Sequence, residues 1–136
     1  MSGTVVVDCS ALVHFLTNHD PLGRGVRTRV GAADVVAVPT LIDYEIQSAL
    51  LGMRRGGKLT GREVARAVDA YRQLQLVRHE TLFLWDRVQA LHGNLSAYDA
   101  QYVALAEALA ATLITSDARI ERSGAAKCGI EVLDSN

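Results

Sequence analysis

No stretch of this sequence stays apolar for anything close to the roughly 18 residues a membrane-spanning helix needs, so no membrane span is expected. The first apolar run follows Met-Ser-Gly-Thr, which contains no base, and Asp8 interrupts that run at once. A secretory leader is therefore not expected, and a cytoplasmic protein is. Cysteine is scarce. Cys9 and Cys128 are too few for a disulfide framework and lack metal-type spacing, so two reduced thiols are the expectation. The four histidines (His14, His19, His79 and His92) form no HxxxH pair or Cys/His cluster, which argues against a zinc site. Repeats, low-complexity tracts and Pro/Ser-rich linkers are missing as well. Positive charge is not in excess either: 14 basic residues face 15 acidic ones, for a net charge of −1. At face value that is a poor balance for a protein that binds nucleic acid.

What remains is ordinary globular material. The 136 residues, 49% hydrophobic and 21% charged, suit one packed domain over 1–136. Thr4–Val7 and Val35–Val38 are short β-branched runs suited to strands buried on both faces. Ser10 is a candidate cap for a helix reaching about Leu16, with a loop over Asn18–Gly25. Thr40 with Asp43 has the spacing of a capping box opening a helix to Arg55, and Thr60 with Glu63 repeats it for a helix to about Leu74. Leu76–His79 fits a third strand. Thr81–His92 reads as a helix with Leu82, Trp85, Val88 and Leu91 on one face, expected to be core rather than a base-stacking platform. Ser96 with Asp99 opens an Ala-rich helix to about Ala111, followed by strands at Thr112–Thr115 and Ile130–Leu133. Strands alternating with helices predict an α/β fold: an α/β/α sandwich around a central parallel sheet of about five strands.

Open sheets of this kind place their sites beyond the carboxyl ends of the strands. Asp8 directly follows the first strand and Asp117 lies just past the fourth. Glu45 falls in the second turn of the helix after the second strand. Asp99 opens the helix that feeds the fourth strand, so its start is expected at the same edge. Each acid has a structural explanation when taken alone: Asp8 as a turn residue, Glu45 as a solvated helix residue, Asp99 and Asp117 as helix caps. Asp43 is best explained by its capping box. Jointly, four carboxylates converging would repel one another, by about 1–4 kcal/mol per pair at 4 Å, and a divalent cation would reverse the sign. Oxygen donors suit Mg2+ or Mn2+, and such an ion can activate water against a phosphodiester. With those four acids committed to a metal, the remaining surface would be mildly basic, which permits RNA binding.

The residues around these acids resemble a known family. Val5-Val6-Val7-Asp8-Cys9-Ser10 looks like the opening motif of PIN-domain nucleases, and Pro39-Thr40-Leu41 with Glu45 is similar to their second. Ser96-Ala97-Tyr98-Asp99-Ala100 followed by Tyr102-Val103-Ala104 resembles the third, and Leu113-Ile114-Thr115-Ser116-Asp117 the fourth. Length and motif wording are most similar to the VapC group, the toxin halves of bacterial VapBC toxin–antitoxin pairs. The resemblance implies a PIN-like fold and Mg2+-dependent endoribonuclease activity, with Mn2+ as a substitute. It implies a homodimer, neutralisation by a VapB-type antitoxin, and a heterotetramer or larger complex with it. It makes Asp8, Glu45, Asp99 and Asp117 the catalytic metal ligands, with Ser10 and Thr115 as supporting hydroxyls.

Two positions depart from the motif. Cys9 stands where a small residue such as Ala or Thr is usual, and is expected to be a small buried thiol. Arg119 replaces a further acid, so one firmly held metal is expected; with Arg122 it is a candidate phosphate contact. The basic stretch Arg54, Arg55, Lys58, Arg62 and Arg66 fits either an RNA grip or a solvated helical hairpin. A phosphatase using Asp8 as nucleophile fails at Ser10, where a second carboxylate should stand. A PIN-fold RNA- or partner-binding module without nuclease activity is the non-enzymatic alternative. The nuclease reading expects 5′-phosphate and 3′-hydroxyl ends, and 2′,3′-cyclic phosphate products would count against it.

Overall fold

The β-branched run at the N-terminus becomes the middle of the molecule. In the computed structural model, which describes residues 3–134, Val5, Val6 and Val7 are all but inaccessible to solvent. They belong to β1 (Thr4–Val7), flanked by β2 (Val35–Pro39) on one side and β4 (Thr112–Thr115) on the other. β3 (Leu76–His79) and β5 (Ile130–Val132) form the edges, giving the order β3-β2-β1-β4-β5 with every pairing parallel. A strand with neighbours on both sides and helices on both faces has no solvated face, so continuous Val and Ile suit it.

Seven α-helices occupy the connections among the described residues: α1 (Cys9–Thr17), α2 (Pro21–Gly31), α3 (Ile42–Arg55), α4 (Gly61–Gln73), α5 (Trp85–Leu91), α6 (Ala97–Ala108) and α7 (Ala118–Arg122). From β1 the chain steps outward through β2 to β3, then returns across the sheet to β4 and β5. Right-handed crossovers put the helices of the outward leg on one face and those of the return leg on the other. The packing agrees: α1 contacts α2, α3 and α4, whereas α6 lies on β1, β2 and β4 and packs with α5. The two legs diverge between β1 and β4, which makes the carboxyl ends of those strands the switch point of the sheet. α6 is Ala-rich where it meets the strands; Ala100, Ala104 and Ala106 are buried there with Val103 and Leu105, so the helix sits close to the sheet.

Four local expectations are corrected. Asp8, not Ser10, caps α1: its carboxylate accepts the Ala11 N–H at 3.0 Å. The expected loop at Asn18–Gly25 is mostly helix, because Asp20 caps α2 by accepting from Leu22 and Gly23, with Pro21 in the first turn. Three glycines hide that helix from propensity, and one is compulsory: a Cβ on Gly23 would stand 1.8 Å from the Asn18 carbonyl oxygen. The Thr40–Asp43 capping box does not form. α3 starts from Leu41 without a side-chain cap, and Asp43 instead accepts from Arg78 at 2.9 Å and from the Tyr71 hydroxyl. Thr81–His92 is a 3-10 turn over Leu82–Leu84 followed by the short α5, so the expected apolar face is split. Val88 and Leu91 are core, but Leu82 and Trp85 are 67% and 52% exposed. A 3-10 turn advances fewer residues per turn, which rotates the residues before it out of register with the helix behind it.

Candidate active site

Asp8 leaves β1 at the switch point and turns back into the protein to cap α1. It is 4% exposed, one of three buried polar or charged residues among those described. Its Oδ1 accepts from Ser10 Oγ at 2.7 Å and from the Ala11 amide, and its Oδ2 accepts from Thr115 Oγ1 at the end of β4. Ser10 Oγ in turn accepts the Ser116 amide at 3.1 Å, and Thr115 Oγ1 accepts the Asp117 amide at 2.9 Å. Two hydroxyls thus tie the first and fourth strand ends together through one carboxylate. Burial nevertheless holds Asp8 above the usual carboxylate range; the hydrogen bonds oppose that effect and the charge of Asp99 adds to it.

The other three acids arrive from separate helices. Glu45 is the fourth residue of α3, and so sits in its first turn rather than the second. It crosses to α6, where Tyr102 Oη donates to its Oε1 at 2.5 Å. Asp99 lies in the first turn of α6, whose cap Ser96 accepts the Asp99 amide at 3.0 Å. Asp117 caps α7 and is clamped by Arg119, with Nε at 3.0 Å from Oδ1 and Nη2 at 2.7 Å from Oδ2.

Electrostatics shows that these side chains sense one another. Glu45 is held above its ordinary value by burial first, then by the charges of Asp99 and Asp8. Burial also raises Asp99, with Asp117 adding and Arg119 opposing. Asp117 goes the other way, because the Arg119 hydrogen bonds outweigh its partial burial. Asp99 is therefore coupled to all three of the others. The structure brings all four sequence-singled acids to one edge of the sheet, with Ser10 and Thr115 between them. The thiol of Cys9 sits in the same place and is pushed up to about 12 by burial and by the charges of Glu45 and Asp8. It is protonated at neutral pH and unreactive as a nucleophile.

Among the described residues, no three Asp, Glu, His or Cys side chains are gathered closely enough to hold a metal ion as they stand. The donor set still fits one kind of ion. Every donor is a hard oxygen, and three of the four carboxylates carry like-charge and burial penalties that a cation would relieve. Mg2+ rarely uses a closed protein cage; it takes one or two carboxylates and completes its shell with water and substrate phosphate.

One residue of this arrangement was not singled out in the sequence. Tyr102 lies three residues after Asp99, hence on the same face of α6, and that spacing was the available signal. Arg119 is exposed but committed to Asp117, and Arg122 acts on the same carboxylate electrostatically. Arg54, Arg55, Lys58, Arg62 and Arg66 are all exposed across the end of α3 and the start of α4.

Beside Glu45 the edge opens into a groove of about 420 Å3, lined by Cys9, Leu41, Ala49 and the exposed rings of Tyr44 and Tyr98 among others. No described helix is long and apolar enough to cross a membrane.

Comparison with known proteins completes this picture. A family model described as PIN domain matches residues 5–125. Ribonuclease VapC9 of Mycobacterium tuberculosis is 39% identical over 129 residues, which cover 95% of this chain and 98% of that protein. Ribonuclease VapC3 of the same organism is 36% identical over 119 residues, covering 88% of this chain and 86% of that one. Among solved structures, VapBC2 from Rickettsia felis, bound to a DNA fragment from its promoter, superposes with a TM-score of 0.67. It shares 14% identity and covers 96% of this chain and 99% of the matched chain.

Proposed function

The chain belongs to the PIN-domain family, and on that premise we propose that it is a VapC-type toxin: an endoribonuclease dependent on Mg2+ or Mn2+ and neutralised by a VapB-type antitoxin. The observation that carries the reading is the meeting of Asp8, Glu45, Asp99 and Asp117, from four separate segments, at the β1/β4 switch point, with burial and mutual charge raising three of them. Relatives named ribonucleases and aligned over nearly the whole chain support it. In this reading residues 1–136 are one PIN domain, acting in the cytoplasm.

The four carboxylates would hold the metal, which when bound would supply Lewis acidity for attack of water on an RNA phosphodiester. The chain's own residues do the rest. Ser10 and Thr115 hold both oxygens of Asp8 in fixed orientations. Tyr102 fixes the rotamer of Glu45. Arg119 keeps Asp117 ionised and, exposed at the rim of the site, is placed to pair with a substrate phosphate. Arg122 adds positive charge at the same flank. The antitoxin is part of the proposal, in keeping with the VapBC structure whose fold this chain shares, and the homodimer and the heterotetramer or larger complex with antitoxin follow from the motif resemblance.

Purified chain incubated with total cellular RNA, in Mg2+ and in EDTA with the new ends mapped, tests the reading. Discrete Mg2+-dependent cuts with 5′-phosphate ends, abolished in Asp8→Asn, are expected; Asn keeps the cap on α1, so the variant folds. Absence of cutting with Mg2+ and Mn2+ by antitoxin-free protein would leave the RNA- or partner-binding module.

A further inference from the structure

The groove beside Glu45 contains two side chains that the hydrolytic reading leaves without a task. Tyr44 and Tyr98 are 76% and 59% exposed, and both line the same cavity. Each immediately precedes a site carboxylate, Glu45 and Asp99, yet the two come from different helices, α3 and α6. Their meeting is therefore a tertiary result. The chain's other two tyrosines are used internally, Tyr71 on Asp43 and Tyr102 on Glu45. Tyr44 and Tyr98 keep their rings at the surface, and the apolar side chains of Leu41 and Ala49 line the same groove.

The flanks of the acidic edge differ. Arg119 and Arg122 stand on the Asp117 side, within electrostatic reach of the site carboxylates. The aromatic groove stands on the Glu45 side. A nucleic-acid strand laid across the carboxylates would meet the cations beside Asp117 and the two rings beside Glu45. The groove, at about 420 Å3, is within the size range of small-molecule sites. Its walls suit the flat face of a base rather than a phosphate.

We propose that Tyr44 and Tyr98 are substrate-positioning residues that stack on an unpaired nucleobase next to the bond being cut. This rests on the ribonuclease reading. Stacking is tolerant of base identity, because every base has a π-face, but it demands that the base be free of its duplex partner. The groove thus sets where the strand lies on the metal site, and contributes to which positions of a folded RNA are accessible.

The test uses a short single-stranded RNA spanning a cut site mapped for the wild-type protein, and the same RNA with an abasic nucleotide placed in turn on either side of the cut. Tyr44→Ala and Tyr98→Ala are each expected to raise KM on the order of 10-fold, the change carried by KM rather than kcat, while Tyr44→Phe and Tyr98→Phe stay near wild type because they keep the ring. One abasic position should raise the wild-type KM similarly and erase the difference between wild type and the alanine variants. Direct binding of the uncut RNA to proteins that also carry Asp8→Asn should show the same ranking. Alanine variants with wild-type KM and affinity would overturn the proposal; abasic and alanine effects that simply multiply would overturn it too. A wild-type protein that cuts RNA while its alanine variants are unaffected sinks only this inference, whereas a wild-type protein that cuts nothing sinks the reading beneath it.

Discussion

At the scale of single residues, the site is controlled by hydroxyl groups that carry no charge. Glu45 enters the groove from the first turn of α3, and its carboxylate accepts from Tyr102, whose own hydroxyl is pushed well above its ordinary value by burial and by Glu45. Tyr102 therefore remains protonated, and a donor, near neutral pH. Removing that hydroxyl leaves a ring of nearly the same volume in the core and a carboxylate without its anchor. Tyr102→Phe should lower metal affinity or turnover by roughly 10- to 100-fold, the usual cost of losing a group that orients a ligand. The Mg2+ dependence of cleavage, measured alongside circular dichroism to confirm an intact fold, checks this; unchanged Mg2+ dependence would make Tyr102 merely structural. Cys9 illustrates the opposite lesson: its neighbours are anionic, so the environment suppresses the thiolate rather than activating it.

At the scale of elements, the helix ends show how far short-range rules reach. Thr60 and Glu63 form the reciprocal capping box their spacing predicts, with both hydrogen bonds present. Thr40 and Asp43 have the same spacing and do not, because Arg78 and Tyr71 offer Asp43 better partners from β3 and α4. The end of α6 carries a strained residue: Ala110 has φ of 50°, in the left-handed region, and the Ala111 N–H reaches back to Ala106 O at 2.9 Å. Glycine is the ordinary occupant of such a position. Ala110→Gly should raise stability by about 0.5–1 kcal/mol, read as a higher urea midpoint with an unchanged slope. A lower midpoint would mean that the methyl group packs more than it strains.

At the scale of the whole molecule, the carboxylates divide into two sets that pull stability in opposite directions with pH. Asp43 and Asp117 are held low by arginine hydrogen bonds, and Glu107 is lowered by Arg87 and the Lys127 amide against its own burial; these contributions are present above the unfolded pKa and lost as pH falls through the folded one. Asp8, Glu45 and Asp99 are raised, so the folded state binds their protons more tightly; that stabilisation is present below the unfolded pKa and lost as pH rises through the raised values. The metal-free protein is thus expected to be most stable at mildly acidic pH and to lose stability toward neutrality. Mg2+ should act in the reverse sense, raising Tm more at pH 7.5 than at pH 5 because protons compete for the same oxygens. At ten times its Kd the gain is about 1.4 kcal/mol, or roughly 4–6 °C for a chain of this size. Asp99→Asn removes the acid coupled to the other three, and should raise the metal-free Tm while shrinking the Mg2+ response. Differential scanning calorimetry decides it: a Mg2+ shift that is equal at both pH values, or undiminished in Asp99→Asn, would remove these acids from the proposed metal site.

The sequence by itself was enough for the alternation of strands and helices, the burial of Thr4–Val7 on both faces, the all-parallel sheet and the placing of Asp8, Glu45, Asp99 and Asp117 at one edge of it, because strand patterning and the switch-point rule are local or topological. Only the tertiary structure decided where each side chain spends its hydrogen bonds. α2 was hidden because Gly23 answers to the Asn18 carbonyl, not to helix propensity. Leu82 came to the surface because a 3-10 turn shifted the helical phase ahead of α5. Asp8 became the cap of α1, Arg119 turned to Asp117, Tyr102 found Glu45 across 57 positions of sequence, and Tyr44 met Tyr98 in one groove. The physical reason is common to all of them. Periodicity reports which face of an element is buried, whereas the partner of a polar or aromatic group depends on which distant element packs against that face.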